Sequence, residues 1–104
     1  MIVIIWGVAG SGKTTVAREL ARRLGCEAYD ADEFHPEANI QKMAAGQPLS
    51  DGDRQPWLAD LRRLVDQYDT GETAVLACSA LKASYRKTLG FDQAYVRSVL
   101  LNGD

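Results

Sequence analysis

The chain alternates short segments rich in apolar or β-branched residues with longer segments in which apolar residues recur every three or four positions. Strands are predicted for 2–6, 26–29, 73–78 and 95–101. Helices are predicted for 13–24, 35–46 and 80–89, and for a further segment that Asp53 introduces. The order β-α-β-α-α-β-α-β predicts an α/β fold, in which a parallel sheet is covered by helices on both faces.

The predicted helices carry start and stop signals. Pro36 and Pro56 are expected in first turns, where a missing N–H costs nothing, and Gly25 and Gly46 just beyond helix ends. Asp53 is expected to cap the third helix. The apolar stripe of the first helix is predicted to consist of Val16, Leu20 and Leu24, with Ala17 and Ala21 beside it. The stripe of the third helix is predicted to consist of Trp57, Leu58, Leu61, Leu64, Val65 and Tyr68.

The predicted topology also indicates where a site would lie. Open parallel sheets bind their ligands beyond the carboxyl ends of the strands. This rule brings four segments to one edge of the sheet, namely 7–13, 30–32, 78–82 and 102–104. Since these segments hold the residues whose side chains are suited to binding or catalysis, we expect one site at this edge.

The composition is that of an ordinary globular protein and does not identify a binding partner. The chain has 104 residues, 46% hydrophobic and 25% charged, and we expect one domain over residues 1–104. A net charge of −2 offers no electrostatic footprint for nucleic acid or an anionic membrane, so neither is an expected partner. The apolar start IVIIW is too short for a targeting segment, and Cys26 and Cys78 are expected as buried, reduced thiols. A cytoplasmic location is therefore expected.

Residues 7–14 match the Walker A pattern G-x-x-x-x-G-K-[ST] between a predicted strand and a predicted helix. The glycines let successive backbone N–H groups face phosphate oxygens, and the following helix adds the positive end of its dipole. Lys13 is expected to reach the β- and γ-phosphates of ATP, and the Thr14 hydroxyl to ligate Mg²⁺. The phosphate-binding set is predicted to be Gly7, Ala9, Gly10, Ser11, Gly12, Lys13, Thr14 and Thr15. The alternative, a glycine-rich turn that only serves packing, is disfavoured because strand, loop and helix agree.

Two carboxylates, Asp30 and Asp32, follow the second predicted strand. In an extended chain they would lie on the same side. Beside a triphosphate they suit a Mg²⁺ shell and a base for a hydroxyl nucleophile, whereas the alternative is a turn that caps the next helix. His35, the only histidine in the sequence, is expected to be a cap or a surface residue.

Three basic residues fall near the same edge of the predicted sheet. Arg54 follows Asp51 and Asp53, and surface pairing is its default interpretation. Lys82 and Arg86 are four apart on one predicted helix and therefore share a face. A solvated helix face is the alternative for this pair, although their helix begins at the edge that carries the phosphate loop.

Two longer blocks resemble the gluconokinases, small P-loop sugar-acid kinases related to shikimate kinase and the nucleoside monophosphate kinases. Residues 30–58, DADEFHPEANIQKMAAGQPLSDGDRQPWL, match the family pattern D-x-D-x-x-H-P-x-x-N-x-x-K-M-x-x-G-x-P-L-x-D-x-D-R-x-P-W-L. Residues 77–86, ACSALKASYR, match C-S-A-L-K-x-x-Y-R. The resemblance implies the three-layer P-loop NTPase fold of the nucleoside-monophosphate-kinase type. It also implies ATP-dependent phosphorylation of D-gluconate to 6-phospho-D-gluconate, with ATP and Mg²⁺ bound.

The same resemblance implies roles for individual residues. Lys13 and Asp32 would be catalytic, Asp32 by orienting the acceptor hydroxyl or accepting its proton. Thr14 and Asp30 would hold Mg²⁺.

For the acceptor, the resemblance implies a substrate-binding set of Asp32, Arg54, Ser79, Lys82 and Arg86. Arg54 and Arg86 are candidates for the gluconate carboxylate, since a planar guanidinium can bind it in a bidentate manner. Asn39 and Lys42 would be further members of the pocket.

Members of the resembled family continue past the position of residue 104 with an arginine-bearing lid, a last strand and a final helix. The resemblance thus implies that the chain is roughly the first three-fifths of a family member and lacks the C-terminal lid and last strand. Two alternatives stay open: an ATP-binding module or truncated fragment without transferase activity, and a kinase for another small hydroxy acid, such as shikimate, or for a nucleoside monophosphate. A homodimer is one assembly that the sequence leaves open.

Overall fold

The computed structural model describes residues 1–7, 12–79 and 82–101. Within these residues four strands form one sheet: β1 (Ile2–Gly7), β2 (Glu27–Asp30), β3 (Ala74–Ser79) and β4 (Val96–Leu101). The strand order is β2-β3-β1-β4, and every neighbouring pair is parallel. The predicted fold class, a parallel sheet with helices on both faces, is confirmed.

The helices follow the predicted order with different ends. They are α1 (Lys13–Leu24), α2 (Glu37–Ala44), α3 (Asp51–Asp66) and α4 (Ala83–Thr88). A short 3₁₀ helix, Ala31–Phe34, precedes α2. The predicted helix 35–46 is therefore too long at its start, because Pro36 is extended and serves as the N-cap of α2. Within the described residues no helix has the length and apolarity needed to cross a membrane.

The two faces of the sheet carry separate apolar clusters. Side chains alternate along β1, so Ile2 and Ile4 pack with α3 and α4, whereas Val3 and Ile5 pack with α1. Burial of β1 on both faces explains why its sequence is continuously apolar rather than alternating.

Helix α1 packs through its small residues, which corrects the predicted stripe. Ala17 and Ala21 are buried, whereas Val16 is 40% exposed and Leu24 is 49% exposed. Leu20 is only partly buried. Alanine lets the helix backbone lie close to the sheet, so the larger side chains on either side of this line point outward. The predicted stop at Gly25 is confirmed: this residue has φ 66° and its N–H bonds back to Ala21 and Arg22.

Helix α3 supplies the other layer. All six residues of the predicted stripe are buried, and five of them belong to α3, whereas Tyr68 lies two residues beyond the end of the helix. The predicted cap is wrong by three residues. Ser50 is the N-cap, and Asp53 is the third helical residue of a reciprocal capping box. Because α3 begins at Asp51, Pro56 lies in the second turn rather than in the first.

Candidate active site

The predicted phosphate loop leaves β1 at Gly7 and enters α1 after Gly12. Ala9, Gly10 and Ser11 lie outside the described residues. Gly12 has φ 80° and ψ 15°, a left-handed conformation that strains any residue with a Cβ. Lys13 is the first residue of α1, where unpaired N–H groups and the helix dipole favour an anion.

A small cavity of about 60 Å³ joins two of the predicted Mg²⁺ ligands. Thr14 from the first turn of α1 and Asp30 from the end of β2 both line it. One hydroxyl and one carboxylate are oxygen donors of the kind Mg²⁺ accepts, with substrate phosphates supplying further ligands. Glu33 and Arg18 line the same cavity, so the oxygen donors are of the type that suits this ion, and one guanidinium lies beside them.

The two predicted carboxylates are not on one extended segment. Asp30 ends β2, and its Oδ1 accepts the backbone N–H of Asp32 at 3.0 Å, which caps the 3₁₀ helix. The expected extended backbone is therefore wrong for this pair, and the alternative, a turn that caps the next helix, is the arrangement observed. The indole N–H of Trp57 donates to the Ala31 carbonyl at 2.7 Å and ties this turn to α3. Asp32 is thereby held on a braced turn with its own side chain exposed.

Beside the phosphate loop lies a cleft of about 460 Å³. Its lining residues are Asp32, His35, Met43, Leu49, Arg54, Trp57, Ser79, Lys82 and Tyr85. Gly7, where the phosphate-loop sequence begins, lies next to this cleft because β1 and β3 pair in register, with Gly7 opposite the lining residue Ser79. Its volume is within the range of roughly 300–1,000 Å³ typical of small-molecule sites.

Four of the five predicted substrate-binding residues line this cleft: Asp32, Arg54, Ser79 and Lys82. The fifth, Arg86, lies over the indole of Trp6, with its guanidinium carbon 5.0 Å from the ring centroid. Arg86 is thus turned toward the aromatic ring at the end of β1.

The cations of the cleft surround one tyrosine. Lys82 Nζ lies 5.4 Å and the Arg54 guanidinium carbon 6.0 Å from the centroid of Tyr85. Lys82 also pairs with Asp51 at 2.7 Å, and the Tyr85 hydroxyl donates to the same carboxylate oxygen. These two hydrogen bonds hold the pKa of Asp51 below its usual value. They connect the start of α3 with the start of α4 at the mouth of the cleft.

Asn39 and Lys42, predicted as further pocket members, instead join α2 to α3. The buried Asn39 amide donates to the Asp53 carbonyl at 2.8 Å. Lys42 pairs with the Asp53 carboxylate at 2.8 Å. The Lys42 contact and the N–H of Ser50 lower the pKa of Asp53 to about 2.

Several residues of the cleft wall were not predicted as site residues. Met43, Leu49 and Tyr85 line the cleft, and their only signal in the sequence is that each stands at a fixed position of the two blocks that resemble gluconokinases. His35 was predicted as a cap or surface residue, and it does end the 3₁₀ helix as its C-cap. It also lies parallel to Trp57, with ring centroids 4.4 Å apart and planes at 10°. Only the H-P and P-W-L positions of the resembled pattern could have drawn attention to this stacked pair.

The cysteines are free, and they differ in burial. Cys78 is buried as predicted, whereas Cys26 is only half-buried. Burial raises the pKa of the Cys78 thiol to about 12, so it stays protonated at neutral pH and is a poor nucleophile.

A family model described as an AAA domain matches residues 3–88, which include both the phosphate loop and the cleft. The chain belongs to this family. The chain is 50% identical over 98 residues to a gluconokinase of Gluconobacter oxydans. The match covers 93% of this chain and 55% of that protein.

Comparison with solved structures shows that this chain has the fold of P-loop kinases. A gluconokinase structure from Sinorhizobium meliloti superimposes with a TM-score of 0.82 at 39% identity, covering 98% of this chain and 57% of the other. A shikimate kinase from Aquifex aeolicus gives a TM-score of 0.72 at 21% identity over 98% of this chain and 60% of that one, which shows the shared fold alone. The resemblance to gluconokinases is confirmed, and the chain spans about half the length of the curated relatives that it matches.

Proposed function

We propose that this chain is the nucleotide- and acceptor-binding part of a kinase that transfers a phosphoryl group from ATP to gluconate. One observation carries the proposal. A phosphate-loop sequence and a cleft that contains acidic, basic and hydroxyl side chains adjoin across the β1–β3 pair, where Gly7 lies opposite Ser79. Phosphoryl transfer demands that a triphosphate and a hydroxyl acceptor be held side by side, and it needs little else from the protein.

On the phosphate side, the proposal assigns the ATP phosphates to the loop and to Lys13 at the positive end of α1. Thr14 and Asp30 would hold Mg²⁺, which neutralises developing charge on the phosphates when bound. Positioning, rather than covalent chemistry, is the contribution of these residues.

On the acceptor side, Asp32 is proposed to orient the reacting hydroxyl and to accept its proton. The capped turn and the Trp57–Ala31 hydrogen bond support this role, because they fix the backbone that carries the carboxylate. Arg54 is proposed to bind the gluconate carboxylate, and Ser79 a sugar hydroxyl. Lys82 and Arg86 remain proposed contacts, and a cytoplasmic location remains a prediction.

The decisive experiment measures ADP release and phosphorylated product with ATP, Mg²⁺ and a panel of acceptors. Gluconate, other aldonates, shikimate and nucleoside monophosphates form the panel, and a preference for gluconate is expected. Turnover without that preference would overturn the choice of acceptor. ATP binding with turnover at background would instead identify this chain as a nucleotide-binding module.

The role of Asp32 has its own test. Asp32→Asn keeps the size of the side chain but removes its charge and basicity. Transfer to gluconate should fall by a factor on the order of 10²–10⁴, the usual contribution of a positioned general base. Binding of ATP should be unchanged, and a variant that retains full transfer would refute the role. Glu37→Gln, which neutralises an exposed carboxylate in the first turn of α2 that lines neither the cleft nor the small cavity, is the matched control.

A further inference from the structure

His35 is set into the wall of the cleft by contacts on two sides. Its ring lies parallel to the indole of the buried Trp57 at a centroid separation of 4.4 Å. Its Nδ1 lies 3.1 Å from the amide nitrogen of Asn39. The stack fixes the plane of the ring and the Asn39 contact fixes its rotation within that plane.

The Asn39 amide determines which ring nitrogen carries the proton. A side-chain amide can be turned so that either its oxygen or its NH₂ faces a neighbour. Here the same atom lies 2.8 Å from the carbonyl oxygen of Asp53, and two oxygens would repel at that distance. The atom is therefore the NH₂ nitrogen, which only donates. Nδ1 of His35 must accept, and the proton of the neutral ring is on Nε2.

The surroundings also keep the ring neutral. Burial, with the charge of Arg54 adding to it, lowers the pKa of His35, although the nearby Asp32 carboxylate acts in the opposite direction. Protonation of Nδ1 would moreover set an N–H against the NH₂ of Asn39. A neutral imidazole with its proton on Nε2 is thus the form that this packing favours.

We propose that His35 is a specificity-determining residue of the cleft, which offers its Nε2–H as a fixed, uncharged donor to an oxygen atom of the bound acceptor. The inference rests on the proposed function, because gluconate would supply that oxygen as a hydroxyl or a carboxylate. A fixed donor disfavours acceptors that lack an oxygen at that position, since the N–H would then be left without a partner.

The first experiment reads the proton directly and needs no activity. The sequence contains one histidine, so a long-range ¹H–¹⁵N correlation spectrum of the labelled chain shows a single imidazole. At pH 7 we expect an unprotonated Nδ1 and a protonated Nε2. An Nδ1–H tautomer or an imidazolium at this pH would overturn the inference.

The second experiment tests the contact with the acceptor. His35→Phe keeps an aromatic ring against Trp57 but removes the donor, and His35→Gln places an amide N–H near the position of Nε2. Binding of gluconate should weaken about tenfold in His35→Phe, the upper range for one neutral hydrogen bond, and recover to within about threefold in His35→Gln. ATP affinity should be the same in all three proteins.

The outcomes separate the two proposals. If the unaltered chain binds gluconate and His35→Phe binds it equally well, the inference about His35 is wrong and the proposed function stands. If the unaltered chain shows no gluconate binding, the proposed function fails, and the contact inferred here fails with it even if the Nε2–H tautomer is observed.

Discussion

Replacement of Asn39 by alanine tests whether α2 is held to α3 by a buried amide. Asn39 is 3% exposed, and its amide nitrogen reaches both the Asp53 carbonyl and His35 Nδ1. Alanine removes both hydrogen bonds and leaves two acceptors in a partly buried region.

The magnitude follows from these contacts. Two hydrogen bonds at about 1 kcal/mol each give a loss of about 2 kcal/mol. Alanine has the higher helix propensity and returns up to about 0.5 kcal/mol of this. The free energy of unfolding should therefore fall by about 1.5 kcal/mol. At about 4–8 °C per kcal/mol for a domain of roughly this size, the Tm should fall by about 6–12 °C.

Urea unfolding followed by tryptophan fluorescence measures this change, because Trp57 lies against His35 beside the altered position. Gln41→Ala is the matched control, since it removes an exposed amide from the same helix and should change stability by less than about 0.5 kcal/mol. The two variants should share one m-value, so that midpoints compare directly. If Asn39→Ala were as stable as Gln41→Ala, the stabilising role assigned to the two Asn39 hydrogen bonds would be wrong.

Two further predictions concern the start of α3. Ser50→Ala removes the side-chain oxygen that accepts the Asp53 N–H at 3.1 Å. The free energy of unfolding, measured in urea, should fall by about 1 kcal/mol. Ser84→Ala, at an exposed position in α4, is the control and should have little effect. The pKa of Asp53 is about 2, below its unfolded value of 3.8, so its contribution to stability is present above pH 4 and is lost as the pH falls toward 2. Asp53→Asn should flatten that part of the stability–pH curve, and an unchanged acid slope would contradict this reading of the Lys42–Asp53 pair.

The helix that is buried most heavily was the easiest to predict. The five buried apolar positions of α3 share one face with a period near 3.6, and few other arrangements could bury them together. The rule that open parallel sheets bind ligands at the carboxyl ends of their strands was equally informative, because parallel topology alone brings the end of β1 beside the end of β3. Neither inference depends on the detail of any one side chain.

Errors arose where several residues satisfy the same local rule. Ser50 and Asp53 are both good N-caps, and the sequence does not distinguish the cap from its reciprocal partner in a capping box. In α1, valine and leucine are the more hydrophobic residues, yet the helix packs through Ala17 and Ala21. The distance between a helix and a sheet is a tertiary property that local hydrophobicity does not encode.

The contacts that shape the cleft could not be predicted from the sequence for a different reason. Asp51 and Lys82 are 31 residues apart, and no periodicity relates them. The Asn39 amide reaches Asp53, 14 residues away, across the loop that joins α2 to α3. Such pairs depend on how α2, α3 and α4 meet, which is a tertiary property and not a local one.

These pairs also rank the cations as partners for an acceptor carboxylate. Lys82 already has a carboxylate at 2.7 Å, so a ligand must compete with Asp51 for its charge. Arg54 lines the same cleft and, within the part of the chain that the structure describes, forms no ion pair. Its guanidinium, which lies over the Tyr85 ring, can therefore engage a planar carboxylate without first breaking an ion pair. For this reason the proposal assigns the acceptor carboxylate to Arg54, with Lys82 held at the mouth of the cleft by the first residue of α3.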